Sequence, residues 1–513
     1  MSAKSDQALG PDLAQGVALE TLKDGEIFGG HVGDDAVILV RLGEEILAIG
    51  GTCTHYNGPL SKGYRDGETV TCPWHHACFS LRTGEALRAP AFSPVDCWTT
   101  EQRDGKVYVK EKTKHPSLAS PPAIGHGEDP KQVVIVGGGA AGFASAEMLR
   151  RRGYGGSLTV LSADTDAPYD RPNLSKDFLA GSAPESWLPM RSPKFYERKD
   201  IALHLQTTVD HIDRQARTVV TDDGRSFGFD RLLLAPGAEP VRLSVPGADQ
   251  PHVFTLRSLA DSRAIIQVAN TARSAVVVGA GFIGLEVAAS LRARKIDVHV
   301  VAPDRQPLEK VLGPELGGHV RSLHEKQGVT FHLGDSVTAI EANRVRLAGG
   351  SLLPADLVIV GIGVRPRTAL ADEAGIATDN GILVDEHFET DCPGIFAAGD
   401  AARWPDQIAG RRIRVEHWVV AERQGQVAAL NMLGERKAFR DVPFFWSAHY
   451  ASTIRYVGHA AHWDAVEIDG DLKAGSAAVR YLEGATTVAV AGIGRDRAVL
   501  RAAVTLENAG GAS

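Results

Sequence analysis

The chain has 513 residues, a net charge of -8 and 43% hydrophobic residues, which is enough apolar material for about three packed domains. Without a long Lys/Arg run, that acidic balance argues against nucleic acid or an anionic membrane as partner. No apolar run approaches the roughly eighteen residues of a membrane span. Five cysteines, four of them before residue 100, do not make a disulfide framework, and the N-terminus lacks the apolar core of a signal peptide; the expectation is a soluble, cytoplasmic protein.

Residues 1–111 carry short alternating segments, among them 36–41, 45–49 and 106–109, separated by glycine turns, and predict a small all-β domain. Inside it lie Cys53-Thr54-His55 and, after sixteen intervening residues, Cys72-Pro73-Trp74-His75. Each loop offers one thiolate and one imidazole. A [2Fe-2S] centre of Rieske type needs this set, because two His replace two Cys on one of its irons. Cys53, His55, Cys72 and His75 are thus the candidate metal ligands, with Gly58, Pro59 and Gly63 shaping the loops. Structural zinc is the competing occupant, although zinc knuckles usually pair Cys with Cys. His76, Cys78 and Cys97 read as packing residues. Residues 112–131, rich in Pro, Gly and small polar side chains, read as a linker.

Residues 133–142, VVIVGGGAAG, run an apolar strand into a turn whose Gly137, Gly139 and Gly142 fit the Gly-x-Gly-x-x-Gly fingerprint. There a pyrophosphate approaches the backbone at a helix N-terminus. A helical pattern and a strand follow. Asp164, about twenty residues beyond the fingerprint, is placed to accept from a ribose hydroxyl. The pattern recurs with strand 275–278, Gly279, Gly281 and Gly284, a helix and strand 297–301. Two such units point to two dinucleotides. After the second, Asp304 can hold a ribose hydroxyl and Arg305 can meet a 2′-phosphate, so NADH and NADPH both stay open, NADH slightly favoured.

Several stretches carry a family resemblance. The N-terminal segment resembles the Rieske family; Gly58, Trp74, Ala77 and Phe79 stand where high-potential members have disulfide cysteines and hydroxyl donors. This implies a potential low in the roughly -150 to +300 mV Rieske range. Residues 132–513 resemble the FAD-dependent pyridine-nucleotide oxidoreductases, particularly ferredoxin reductases and apoptosis-inducing-factor-like proteins. The segment 168–176, PYDRPNLSK, implies Arg171 at FAD and Lys176 near the isoalloxazine, with Asn173 in place of a second proline. Residues 232–237, LLLAPG, match a second flavin-domain turn, with Pro236 for threonine. Residues 390–400, TDCPGIFAAGD, imply Asp400 at the ribityl chain. Glu416, His417 and Trp418 match a segment beside flavin and nicotinamide, Trp418 offering an aromatic face, and 445–447 open the C-terminal domain. The resemblance also implies that Lys176 and Glu286 meet near the flavin, as the catalytic pair.

The expected fold is multidomain: an N-terminal all-β Rieske domain (1–111), the linker (112–131), Rossmann-like α/β domains for FAD (132–252 and 376–442) and NAD(P)H (253–375), and a small α+β C-terminal interface domain (443–513). No cysteine lies between Cys97 and Cys392, so a dithiol relay beside the flavin is excluded. The implied activity is electron transfer from NAD(P)H through FAD to the cluster. From there electrons would pass to an external acceptor such as an oxygenase component or a cytochrome. The chain is read as a monomer or homodimer, and the alternative is a redox-sensing interaction protein of low turnover.

Overall fold

The computed structural model describes residues 10–113 and 130–510; most of the expected linker, 114–129, lies outside the described residues. In the N-terminal domain a six-stranded antiparallel sheet packs beside a four-stranded one. The strand Asp35–Leu42 shows why the sheet has core on both faces: Ile38 and Val40 point to the side that carries Cys53 and Cys72, whereas Val37 and Leu39 point to the other. The strand Lys106–Thr113 extends past the expected 106–109, its register interrupted between Val109 and Lys112.

Two parallel five-stranded sheets follow. The first has the order Ala202–His204, Ser157–Leu161, Gln132–Val136, Arg231–Leu234, Ile395–Ala397. The second runs Val253–Thr255, Leu357–Val360, Ser274–Val278, Asp297–Ala302, Val329–Leu333. Their central strands, VVIV at 133–136 and AVVV at 275–278, are buried on both faces, as strands covered by helices must be. Each fully buried Val or Ile there contributes roughly 1.5–3 kcal/mol. Helices α1 (Ala140–Arg151) and α2 (Phe282–Ala293) leave the two glycine turns, and α3 (Glu309–Lys326) packs between the edge strand Val329–Leu333 and the C-terminal domain. Among the described residues no helix is long and apolar enough to cross a membrane.

Helix α4 (Trp418–Met432) is buried along nearly its whole length. It crosses α1 so closely that a Cβ at Gly425 would lie 2.2 Å from the Ala141 carbonyl oxygen, which only glycine permits. The C-terminal domain is a five-stranded antiparallel sheet, beginning with Phe444–His449, closed by helix α5 (Asp496–Gly510).

Candidate redox site

The two Cys/His loops are built alike. Cys53 N–H donates to the Gly58 carbonyl (2.9 Å) while Asn57 N–H returns to the Cys53 carbonyl (3.0 Å). In the second loop Cys72 N–H donates to Ala77 (2.8 Å) and His76 N–H to Cys72 (3.2 Å). The fourth residue after each cysteine, Asn57 or His76, turns the chain at φ 60°. These twin turns bring like to like. The Nδ1 atoms of His55 and His75 lie 3.2 Å apart, and the thiols of Cys53 and Cys72 shift each other's ionisation. Among the described residues no three His, Cys, Asp or Glu side chains converge on one point. Zinc needs four ligands about one centre, whereas separate pairs of sulfur and nitrogen suit the two irons of a Rieske cluster.

The electrostatics fit the same occupant. Burial holds His55 down at a pKa of about 3 and His75 well below the usual imidazole range, so both rings are neutral, as metal ligands must be. Interaction between the two thiols lowers the Cys72 pKa and raises that of Cys53, burial adding to the rise. There is no room for a side chain at Gly58, where a Cβ would stand 2.6 Å from Cys72 Sγ.

The cluster loops face the rest of the molecule. Arg455 Nε donates to the Trp74 carbonyl (3.0 Å) and its guanidinium pairs with Asp496 (2.7 Å). Arg423, on α4, donates to the carbonyls of His76 (2.7 Å) and Ala89 (3.2 Å). Arg88 reaches Glu507 (3.1 Å) and Asp441 (3.4 Å). His76 stacks on Phe444 with centroids 3.8 Å apart, in keeping with a packing residue. The Tyr56 hydroxyl donates to Asp170 and accepts from Asn173 (2.8 Å), joining the first cluster loop to the segment 168–176. The described parts of the N-terminal domain are therefore docked.

Beneath the dock lies a cavity of about 1160 Å³. Gly137, Gly139, Asp164, Arg171, Lys176, Gly281, Gly284, Glu286, Asp400 and Trp418 all lie on its wall. Gly142 sits just behind, where a Cβ would fall 1.9 Å from the Gly137 carbonyl oxygen; Gly279 (φ 110°) makes the second turn. Lys176 Nζ lies 2.7 Å from Glu286 Oε2, and the glutamate also accepts from Ser175 and Ser447 (each 2.6 Å). Asp164 accepts from Tyr169 (2.8 Å), and Asp400 pairs with Arg257 (2.6 Å). Arg171 lies over the Trp418 ring at 5.7 Å; burial, and then Arg257, lower its pKa to about 10. Its Nε is buried without a hydrogen-bond partner, an orphan donor that an anionic pyrophosphate on the glycine turn would satisfy. Asp304 pairs with Lys310 (2.9 Å) and Arg305 is exposed; neither lies on the cavity wall.

Three site residues escaped the sequence reading or were read otherwise. Trp446, placed by the sequence only in the segment that opens the C-terminal domain, lines the cavity and sets its ring centroid 4.3 Å from that of His75. Arg257 and Tyr56 carry no local motif, since their partners are distant in sequence.

A Rieske [2Fe-2S] domain model matches residues 16–99, a pyridine nucleotide-disulphide oxidoreductase model matches 131–425, and a reductase C-terminal model matches 444–511. The chain belongs to the pyridine nucleotide-disulphide oxidoreductase family. This oxidoreductase is an FAD-binding flavoprotein with a Rieske domain fused at its N-terminal side. Apoptosis-inducing factor 3 of Homo sapiens is 34% identical to it, over 95% of this chain and 83% of that protein. Rhodocoxin reductase of Rhodococcus erythropolis is 35% identical, over 71% of this chain and 87% of that protein. The crystal structure of the covalent putidaredoxin reductase–putidaredoxin complex has a TM-score of 0.72 and 33% identity, over 74% of this chain and 94% of that one. Unlike what the family description suggests, this oxidoreductase has no cysteine pair at its cavity: Cys392 is the sole cysteine after Cys97, and it lies against Arg214 (2.9 Å).

Proposed function

We propose that this oxidoreductase moves electrons from NAD(P)H, by way of FAD, to the Rieske cluster of the same chain and on to an external acceptor such as an oxygenase component or a cytochrome. When bound, the flavin takes a hydride from a nicotinamide and releases electrons singly, and the cluster carries one electron at a time. Gly137, Gly139 and Gly142, with Arg171, hold the FAD pyrophosphate; Asp164 takes a ribose hydroxyl and Asp400 the ribityl chain. Lys176, fixed by Glu286, faces the isoalloxazine, and Trp418 gives it an aromatic wall. Gly279, Gly281 and Gly284 receive the nicotinamide dinucleotide. Asp304 and Arg305, off the wall, do not support a choice between NADH and NADPH.

The observation that carries the reading is Trp446, whose ring belongs both to the cavity wall and to the contact with His75. Among similar structures, one holds a reductase in covalent complex with a second protein, putidaredoxin; here the second redox module belongs to the same chain. Anaerobic titration with NADH and NADPH, followed by optical and electron paramagnetic resonance spectra, is the test. Flavin bleaching with a cluster that stays oxidised would refute the internal route. A second reading, a redox-sensing interaction protein of low turnover, draws on the likeness to apoptosis-inducing factor 3 across both modules. Slow turnover together with a nucleotide-dependent dimer would favour it.

A further inference from the structure

Ser447, which holds Glu286, lies on the strand Phe444–His449. Side chains two apart on a strand share a face at a spacing of about 7 Å, so His449 follows Ser447 on the same side. Its ring is fully buried. His449 Nδ1 lies 3.1 Å from Nε2 of His324, in the last turn of α3, and His324 Nδ1 lies 3.3 Å from the hydroxyl of Tyr450. Tyr450 is partly exposed.

These contacts accept a consistent proton assignment with both rings neutral. His449 Nδ1–H donates to His324 Nε2, and His324 Nδ1–H donates to the Tyr450 oxygen. The remaining atom, His449 Nε2, then carries a lone pair on the ring edge away from His324, buried and without a hydrogen-bond partner. Among the charges acting on His449, that of Lys176 is the strongest, followed by His319; Arg292 acts on Tyr450. Burial holds the pKa of both rings at about 3, so at neutral pH they do not retain an extra proton.

We infer that His449, His324 and Tyr450 form a proton path from the Lys176–Glu286 pair to solvent. The inference rests on the electron route proposed above. A hydride brings two electrons and one proton. When both electrons leave singly to one-electron acceptors, one proton is left beside the Lys176–Glu286 pair, whose glutamate is buried, and has to reach solvent. It passes from the Lys176–Glu286 pair to His449 Nε2, the unpartnered buried atom two positions along the strand from Ser447, which itself holds Glu286. His449 Nδ1 then gives its proton to His324 Nε2, His324 Nδ1 gives its own to Tyr450, and the hydroxyl proton goes to solvent. One proton has left and each residue of the path ends with its original charge; both rings end as Nε2–H tautomers and return to Nδ1–H before the next proton passes.

The test uses the flavin-loaded full chain, reduced with one equivalent of NADH and mixed with excess ferricyanide, with proton release followed by an indicator dye. His449→Phe is expected to slow release about a hundredfold, with recovery on adding imidazole. His449→Gln, which keeps a polar group of similar length but cannot relay a proton, is expected to behave likewise, and Tyr450→Phe to show a smaller loss. A readout independent of turnover is nitrogen NMR of the histidine rings, expected to show neutral Nδ1–H tautomers at both positions. Release at the wild-type rate in all three variants, or an Nε2–H tautomer at His449, would overturn the path. Cluster reduction is scored separately: a wild-type cluster that stays oxidised with NADH refutes the electron route. A reduced cluster with unaltered release in the variants refutes the proton path alone.

Discussion

Replacing Gly142 by alanine is the most direct way to ask which dinucleotide each glycine turn holds. The added Cβ would stand 1.9 Å from the Gly137 carbonyl oxygen, backbone against backbone, with no flexible side chain to give way. Reaching ordinary contact at roughly 3.5 Å requires the start of α1 to back off by about 1.6 Å. At that displacement the N-terminal amides of α1 no longer reach a pyrophosphate. Losing two hydrogen bonds to a charged group, at roughly 1.5–3 kcal/mol each, weakens binding by about 3–6 kcal/mol. That corresponds to a loss of about 10²–10⁴ in affinity. Gly284→Ala is the matched control, its Cβ 2.2 Å from the Gly279 carbonyl oxygen. The assay is flavin content after gel filtration, then FAD calorimetry on stripped protein and steady-state kinetics with NADH. The expected result is a Gly142→Ala protein without bound flavin and a Gly284→Ala protein that keeps its flavin, with a raised KM for the nicotinamide. A Gly142→Ala protein that keeps its flavin, or a Gly284→Ala protein that loses it, would refute the assignment.

Trp446→Ala is expected to slow cluster reduction more than flavin reduction in stopped flow, with Trp446→Phe intermediate; equal effects on both steps would make Trp446 a packing residue only. Arg88→Ala removes a cation, its side chain 29% exposed, between Asp441 and Glu507, each 21% exposed, and is expected to cost about 1–3 kcal/mol of docking, between a surface pair and a buried one. An unchanged radius of gyration in X-ray scattering would contradict it. Glu422, fully buried on α4, has its pKa raised well above the usual carboxylate range by burial and then by Asp170. A raised folded pKa means stability that is present below the unfolded value, about 4.3, and is lost as pH rises through the folded one. Glu422→Gln is therefore expected to match wild type in Tm at low pH and to exceed it at alkaline pH, and a variant less stable at alkaline pH than wild type would sink this account.

The parts of the site that were legible in the sequence are those whose chemistry is local. Cys53 to His55 and Cys72 to His75 mark candidate ligands by spacing, and Gly137 to Gly142 marks a candidate phosphate turn because the constraint lies within ten residues. Local spacing did not show that the two cluster loops share one turn geometry, since the residue at positive φ is Asn57 in one and His76 in the other. The contact between Lys176 and Glu286 followed from the resemblance and not from composition, because each alone is an ordinary surface charge. Trp446 was ambiguous for a related reason: an aromatic residue in a strand reads as core until His75 is set beside it. Asp304 and Arg305 were placed by a positional rule at the end of a strand; Asp304 pairs with Lys310, which lies on the cavity wall, and Arg305 is exposed. Docking through Arg88, Arg423 and Arg455 has no sequence signature at all, since the arginines meet backbone carbonyls and carboxylates from distant segments.

Fusing the Rieske module to the reductase changes what concentration means for the step between them. Two separate proteins meet by diffusion, helped by surface charge that salt screens. Here the contact of His75 with Trp446 is intramolecular, with an effective concentration set by the tether and held by the buried Arg423 and Arg455. On the proposed route, flavin-to-cluster transfer should then be first order in protein, unaffected by dilution and little affected by ionic strength. Only delivery to the external acceptor should slow as the solution is diluted.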